Sequence, residues 1–513
     1  MHRPLILVLL FALLTAVRVT APTDFLEGDQ EKQVGYVMNI LHQGDWLVQY
    51  EIDGEVATKP PFYNWCAALL SRLFGTEAEW VMKLPSLLAG IGLLVCIYLL
   101  GCRFFDETAA FYACLACIAS HHFSKLFWFA RTDMLMAFSV HLAIVLLVYL
   151  KRGWRKSLLI GLVLAASALT KGPVGPTLFC LFLLVWGWRE GTLRDPAAYR
   201  HLIPGAGLFL LLVGAWLAAV WQMPSFAERV VKWQLGTRMV EGRYMDPVYY
   251  YVGHVFTRIA PWTFIAAFAV LRGRGRADWP PLRFVGTWAL LFFAFFSAVP
   301  FKRHDLLLPV YPAIFLLAGV GVRDLLQPSM DKVARGLMLA TLGLFAVSAI
   351  ATARIGEPLA WAVGFGLIAS GVAAGILLCR RHPGVMVGIA AGLILIHGGY
   401  HHWKYPQGRG RYADLERFTE QVAEITRAPD DVLVYRVNPL IAYELGQHQF
   451  LVTPEDLVRH GGQWLIAPPE LEGEIEQATR WELQPELPLS LAPRKERAAL
   501  FRVGLRQTIG SRL

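Results

Sequence analysis

Apolar runs dominate this chain. Stretches of about 18 to 22 residues, the length that crosses the hydrocarbon core of a bilayer, recur from the N-terminus to residue 401. About thirteen spans can be drawn by hydropathy: 4–21, 82–101, 108–127, 134–150, 157–171, 174–188, 202–222, 255–271, 284–300, 305–322, 335–353, 359–379 and 384–401. Three hydrophilic segments interrupt them, 22–81, 223–254 and the tail 404–513.

The first of these segments is too long for a simple connection and has a period of its own. Val34, Val37, Met38 and Leu41 recur at helical spacing, as do Phe62, Trp65, Cys66, Leu69, Leu70 and Leu73. Both stretches predict amphipathic helices lying on the membrane surface, with Trp46 and Trp65 suited to the interface. In the tail, Leu415–Thr426 predicts a helix. Asp431–Val437 and Trp464–Ala467 predict short buried strands, with Phe450–Thr453 a third. The expected fold class is a mainly α polytopic membrane protein, with surface helices in its first loop and a small C-terminal α/β domain. The expected division is a transmembrane domain over 1–403 and a soluble domain over 404–513.

Composition sharpens the class. The chain has 513 residues, 56% hydrophobic and 17% charged, whereas soluble domains are about a quarter charged. This excludes a soluble enzyme, a disordered chain and a fibrous repeat. The net charge of +9 does not point to nucleic acid, because the basic residues sit in short alternate loops. Lys151, Arg152, Arg155 and Lys156 fill one; Arg272, Arg274, Arg276 and Arg283 fill another; Arg380 and Arg381 a third. By the positive-inside rule these loops are cytoplasmic. The N-terminus is then cytoplasmic, and segments 22–81, 223–254 and 404–513 lie outside. The first span carries Arg3 and Arg18 and no small-residue cleavage site, so it is read as a retained anchor. The seven cysteines show no disulfide or zinc spacing. Cys114 and Cys117 form a CxxC inside an apolar run, where packing is the expectation.

Candidate chemistry concentrates in the first outer loop. Asp29 stands at the head of the first amphipathic helix, and Lys59-Pro60-Pro61 stands between the two helices. A carboxylate there suits a general base, and a lysine beside a rigid Pro-Pro suits a phosphate. The bland readings are a helix N-cap for Asp29 and a snorkelling lysine.

The ordered motifs resemble a known family. They are Gly28-Asp29, Tyr36, Gly44-Asp45-Trp46, Lys59-Pro60-Pro61-Phe62-Tyr63, Lys83-Leu84-Pro85-Ser86, Arg131-Thr132-Asp133 and Leu169-Thr170-Lys171-Gly172-Pro173. Pro247-Val248-Tyr249-Tyr250-Tyr251, Pro261-Trp262, Lys302-Arg303 and Leu308-Pro309-Val310-Tyr311-Pro312 follow. Together they resemble the membrane glycosyltransferases of the GT-C fold that include lipid A aminoarabinose transferases and bacterial protein mannosyltransferase-like enzymes. The resemblance covers about residues 20–320.

The resemblance implies an inverting transfer of a sugar from a polyprenyl (undecaprenyl) phosphate. The acceptor would be a glycolipid such as lipid A, a cell-envelope glycan or a protein, at the outer face of a bacterial cytoplasmic (inner) membrane. It implies Asp29 as catalytic base and Asp133 as a second acid at the outer face. Lys32, Lys59, Lys171 and Arg303 become ligands of the lipid phosphate, and Tyr63, Tyr250 and Tyr251 line the substrate pocket. Cations at the outer face have no orientation role, which favours a phosphate partner. Aminoarabinose transferases bind a divalent metal through an acid before the Lys-Pro-Pro lysine and histidines before the tyrosine run. Thr58 and Arg243-Tyr244-Met245-Asp246 stand there instead. A divalent metal stays open, with His254 and Asp246 the nearest substitutes, but no metal ligand and no other cofactor is assigned. The adjacent His121 and His122 point about 100° apart on a helix and are expected to pack rather than chelate.

Three rivals remain by sequence. A flippase or transporter would carry ionisable groups inside its spans, whereas Asp133 and Asp305 lie at span ends. A polysaccharide ligase would have its main outer loop late in the chain. A non-catalytic scaffold would tolerate Asp29→Asn.

Overall fold

The computed structural model describes residues 3–26, 29–51, 56–57, 59–223, 247–327, 336, 384–427, 432–446, 454–491 and 496–505. The expected spans 335–353 and 359–379 and the strand Phe450–Thr453 lie outside these residues, as does most of 223–254.

The apolar runs become helices. Five described segments are long and apolar enough to cross a membrane: Glu79–Phe104, Thr132–Tyr149, Pro196–Trp221, Trp279–Ala298 and His304–Leu325. Arg3–Val19, Trp154–Lys171 and Val174–Arg189 occupy three more of the expected spans.

Three expected spans are not single helices. Span 108–127 divides into Glu107–Ile118 and His121–Leu126, where the Ser120 hydroxyl accepts from Phe123 N and caps the second piece. Span 255–271 divides into Tyr250–Arg258 and Trp262–Gly273. Pro261 sits at the break, where it removes no helical hydrogen bond. Span 305–322 opens with a 3₁₀ turn, His304–Val310, that contains Pro309 before Tyr311–Leu325. The helix of the final expected span runs from Gly384 to Thr426, well past the expected span end at 401.

The described residues gather into two compact units that do not follow chain order. One takes in Met1–Ala21, Lys83–Gln222 and Val230–Lys404; the other takes in Pro22–Met82, Met223–Arg229 and Tyr405–Leu513.

In the first unit small residues let helices touch. A Cβ on Gly161 would lie 2.1 Å from Gly205 O, and one on Gly319 would lie 2.2 Å from Ala109 O. Such close backbone approach is how membrane helices gain contact without a hydrophobic driving force. Trp262 and Trp288 are fully buried in the core of this bundle. Cys114 and Cys117 are buried there too, and Cys114 Sγ lies 3.4 Å from Leu94 O, in accord with a packing role.

The second unit joins the first outer loop to the tail. Its sheet has the order β1 (Val432–Val434), β2 (Trp464–Ala467), β4 (Glu496–Leu505), β3 (Trp481–Leu491). β1 pairs parallel with β2; β2–β4 and β4–β3 are antiparallel, with Leu465 opposite Phe501. Its core holds Tyr435, Leu465, Ile475, Trp481, Leu483 and Phe501. β3 carries Pro485 and Pro488, which its edge position and a register shift between Pro485 and Leu487 accommodate.

Both amphipathic stretches of the loop are helical, Gln30–Met38 and Phe62–Phe74. The second buries Tyr63, Asn64, Ala67, Ala68 and Ser71 and leaves Leu69, Leu73 and Phe74 exposed. A large apolar side chain facing outward is what a helix lying on lipid requires.

Candidate active site

The candidate residues fall in both units, and each group has its own geometry. In the second unit Asp29 occupies the N-cap position of helix Gln30–Met38. Its backbone is left-handed, φ 67° and ψ 23°, and its side chain makes no capping hydrogen bond. An ordinary N-cap has an extended backbone and a side-chain oxygen on the N2 or N3 amide. The bland reading of Asp29 therefore does not hold. A non-glycine residue in this region carries about 1 kcal/mol or more of strain, and such strain persists where the surroundings impose it.

One turn into the helix, Lys32 Nζ donates to Glu51 Oε2 at 2.8 Å. Glu51 Oε1 accepts from Tyr36 OH, also at 2.8 Å. Glu51 had no signal in the sequence, being one acid in a polar loop. Lys59 is half-buried, two residues beyond the turn closed by Ala57 N on Gln49 O and just before Pro60-Pro61. Pro61 holds the N-cap position of helix Phe62–Phe74. Tyr63 is fully buried, and its hydroxyl donates to Met82 O at 3.0 Å.

In the first unit Asp133 and Lys171, expected at the same end of separate spans, form an ion pair. Arg131 bridges two acids: Nη2 lies 3.0 Å from Asp133 Oδ2, and Nη1 lies 2.7 Å from Asp305 Oδ2. Asp305 Oδ1 is also 3.0 Å from His304 Nε2 and 3.4 Å from Lys125 Nζ. Both carboxylates are buried. Ser86 Oγ donates to Arg131 O at 3.1 Å and fixes the start of the Thr132 helix. Lys125 lies over the Phe129 ring at 5.3 Å, Arg18 over the same ring at 6.0 Å, and Lys83 over Trp128 at 5.8 Å.

This end of the bundle thus gathers Arg131, Lys171 and Lys125 around two carboxylates, with Arg18 and Lys83 over the Phe129 and Trp128 rings of the same stretch. Lys83 and Arg18 are 1% and 2% exposed. Such a concentration suits an anionic ligand. Lys83, Lys125, Arg131 and Asp305 were not singled out by sequence. Lys83 and Arg131 stood inside quoted motifs, and Asp305 follows the Lys302-Arg303 pair. That proximity to motif residues was the available signal.

Tyr251 and Arg303 are joined through the backbone. Tyr251 OH donates to Arg303 O at 3.3 Å, and Arg303 N lies 3.1 Å from the same oxygen. The Tyr250 and His254 rings are 4.5 Å apart, and His254 lies 5.7 Å from His304. His122 packs edge-on to Tyr311 at 5.1 Å, and His121 lies 5.2 Å from His397. The two histidines turn to different neighbours, as their helical spacing requires.

Among the described residues no three His, Cys, Asp or Glu side chains converge as a metal site. Thr58 and Arg243-Tyr244-Met245-Asp246 lie outside the described residues.

Comparison with known proteins bears on the fold. A family profile, Dolichyl-phosphate-mannose-protein mannosyltransferase, matches residues 58–221. An undecaprenyl phosphate-alpha-4-amino-4-deoxy-L-arabinose arabinosyl transferase of Pseudomonas paraeruginosa is 26% identical over 64% of this chain and 62% of its own length. An uncharacterized protein of Aquifex aeolicus is 27% identical over 68% of this chain and 67% of its own. The chain thus spans about 62% of the length of the arabinosyl transferase. Among solved structures, ArnT from Cupriavidus metallidurans bound to undecaprenyl phosphate superposes with a TM-score of 0.75, 19% identity and 99% coverage of both chains. The archaeal oligosaccharyltransferase AglB from Archaeoglobus fulgidus gives a TM-score of 0.51 at 11% identity, over 97% of this chain and 74% of its own. The fold class is the one expected from the sequence: a polytopic, mainly helical membrane protein of GT-C type with a small C-terminal α/β portion.

Proposed function

We propose that the chain is an inverting glycosyltransferase that moves a sugar from a polyprenyl phosphate, undecaprenyl phosphate being the leading carrier, to an acceptor outside a bacterial inner membrane. The observation that carries this is the basic cluster of Arg18, Lys83, Lys125, Arg131 and Lys171, set in a fold shared end to end with a protein whose structure holds undecaprenyl phosphate. The N-terminus is cytoplasmic and residues 404–513 are extracytoplasmic in this reading, because the basic cluster lies opposite the dense Lys/Arg loops.

The reaction breaks the bond between the anomeric carbon and the phosphate oxygen. The electron pair leaves with the polyprenyl phosphate, and the acceptor oxygen or nitrogen bonds to the opposite face of the same carbon. Asp29 takes the proton that the acceptor loses. The leaving phosphate gains negative charge as the bond breaks, so fixed cations favour the transition state over the ground state. Lys59, Lys171 and Arg303 supply that charge. Lys32 joins them by exchanging Glu51 for a phosphate oxygen. Asp133 lies between Arg131 and Lys171, and its part is to hold those two cations in place. Tyr250 and Tyr251 belong to the sugar-binding wall, Tyr251 through its link to Arg303. Tyr63 supports the loop from within. Lipid A, another envelope glycan or a protein is the acceptor class.

Purified protein in detergent with a radiolabelled undecaprenyl-phosphate sugar tests this. Wild type releases the label from lipid into acceptor, and Asp29→Asn does not. Equal release by both removes Asp29 from its role, and no release by wild type with a range of acceptors removes the reading.

A further inference from the structure

We infer that the short helix Pro439–Glu444, from the C-terminal portion, is a positioning device for Asp29. The inference rests on the proposed role of Asp29 as base and gives the C-terminal portion a part in the reaction.

The left-handed backbone of Asp29 needs support on both sides, and this helix provides it. On the N-terminal side, Phe25 is fully buried and meets the Tyr443 ring edge-on at 6.0 Å. Gln30 ties the same turn down, its Nε2 donating to Asp24 O at 2.7 Å and to Asp24 Oδ1 at 3.2 Å. On the C-terminal side, Gly35 faces Pro439. A Cβ on Gly35 would lie 3.1 Å from Pro439 Cβ and 3.2 Å from its Cγ. Any larger residue at 35 would have to push Pro439 back by a few tenths of an ångström.

The supporting helix is itself fixed. Asn438 Oδ1 accepts from Leu440 N at 3.0 Å, and Pro439 occupies the first turn, where its missing N–H costs nothing. Leu440, Ile441 and Ala442 are buried. Tyr443 OH donates to Glu77 O at 2.8 Å, and Glu444 accepts from Tyr412 OH. One short helix therefore holds Phe25, Gly35 and Glu77, which bracket the whole first outer loop in sequence. The helix it supports through Gly35 also carries Lys32, which turns to Glu51, so its effect passes through the placement of that helix and of Asp29 at its head. A base displaced by about 1 Å loses up to about 100-fold in rate while substrate still binds.

The test pairs kinetics with hydrogen exchange on the full-length protein in detergent. Tyr443→Ala is expected to lower kcat about 10- to 100-fold with KM for the lipid-linked donor changed less than about 2-fold. Amide exchange over residues 29–38 is expected to rise about 10-fold or more, with strands β2 and β4 unchanged. Tyr443→Phe keeps the ring against Phe25 and is expected to restore most of kcat. Gly35→Ala, which leaves Tyr443 in place, is expected to lower kcat in the same way, and adding Pro439→Gly to relieve it. Equal loss of kcat and rise of KM, or unchanged exchange over 29–38 in both Tyr443→Ala and Gly35→Ala, overturns the inference. If wild type shows no turnover, the glycosyltransferase reading fails, and exchange alone decides whether the helix anchors Asp29. Should Tyr443→Ala not fold, Gly35→Ala decides by the same readouts.

Discussion

The helical bundle has a charged cluster at each end, and the two are built differently. At one end Arg323 pairs with Asp106, Asp278 and Asp324, and Arg276 Nη1 adds a 2.8 Å contact to Asp324. The Asp106, Asp278 and Arg276 side chains there are 41%, 39% and 43% exposed. At the other end Arg131, Lys171 and Lys125 enclose Asp133 and Asp305, with Arg18 and Lys83 nearby, and the acids are almost entirely buried. The first cluster is partly open to water at Asp106, Asp278 and Arg276, with Arg323 and Asp324 more covered. It joins loops. In the second the two carboxylates sit almost wholly out of water, where every charge acts more strongly. Ion pairs at a surface fasten structure cheaply; buried basic clusters point to a ligand.

The largest effects should come from breaking the buried cluster. Arg131→Leu leaves Asp133 and Asp305 short of a partner, and losses of about 3 to 5 kcal/mol accompany such a change. Thermal unfolding in detergent should fall sharply, and donor turnover with it. Next comes Asp29→Asn, which should reduce turnover by about 100- to 10,000-fold without a comparable loss of melting temperature. Asp29→Gly and Asp29→Ala separate strain from chemistry. Both should be inactive, but the glycine variant should be more stable than the alanine variant by about 1 kcal/mol, because only glycine adopts φ 67° freely. Arg323→Met, which leaves the buried Asp324 with Arg276 alone, should cost about 1 to 3 kcal/mol, less than Arg131→Leu, and leave turnover unchanged. The smallest effect lies away from both ends. Burial pushes the Glu444 carboxyl up from its ordinary range. The folded state then holds that proton more tightly than the unfolded state, so stability falls as pH rises through the two values. Glu444→Gln should flatten the melting profile in that window.

Much of the bundle was legible because bilayer-length apolar runs have few other solutions. The failures have local causes. Span 255–271 was drawn through Pro261, which ends one helix and starts another. The span drawn to 401 and the tail helix drawn from Leu415 are one helix, Gly384–Thr426. β3 was missed because Pro485 and Pro488 speak against a strand, and only its edge position admits them. In the site, Asp29, Lys59, Asp133 and Lys171 had motif signals, but the pairing of Asp133 with Lys171 was not expected. Glu51, Lys125 and the Gly35–Pro439 contact had none. They depend on residues far apart in sequence, and periodicity is silent about such partners.

The most direct test of the central claim is the affinity of undecaprenyl phosphate, measured in detergent beside uncharged undecaprenol. Wild type, Lys171→Met and Arg323→Met would be compared. The account predicts that wild type prefers the phosphate, that Lys171→Met weakens phosphate binding about 10-fold or more, the scale of one lost charged contact, and that Arg323→Met binds as wild type does. Equal affinity for both lipids, or no loss in Lys171→Met, would contradict it.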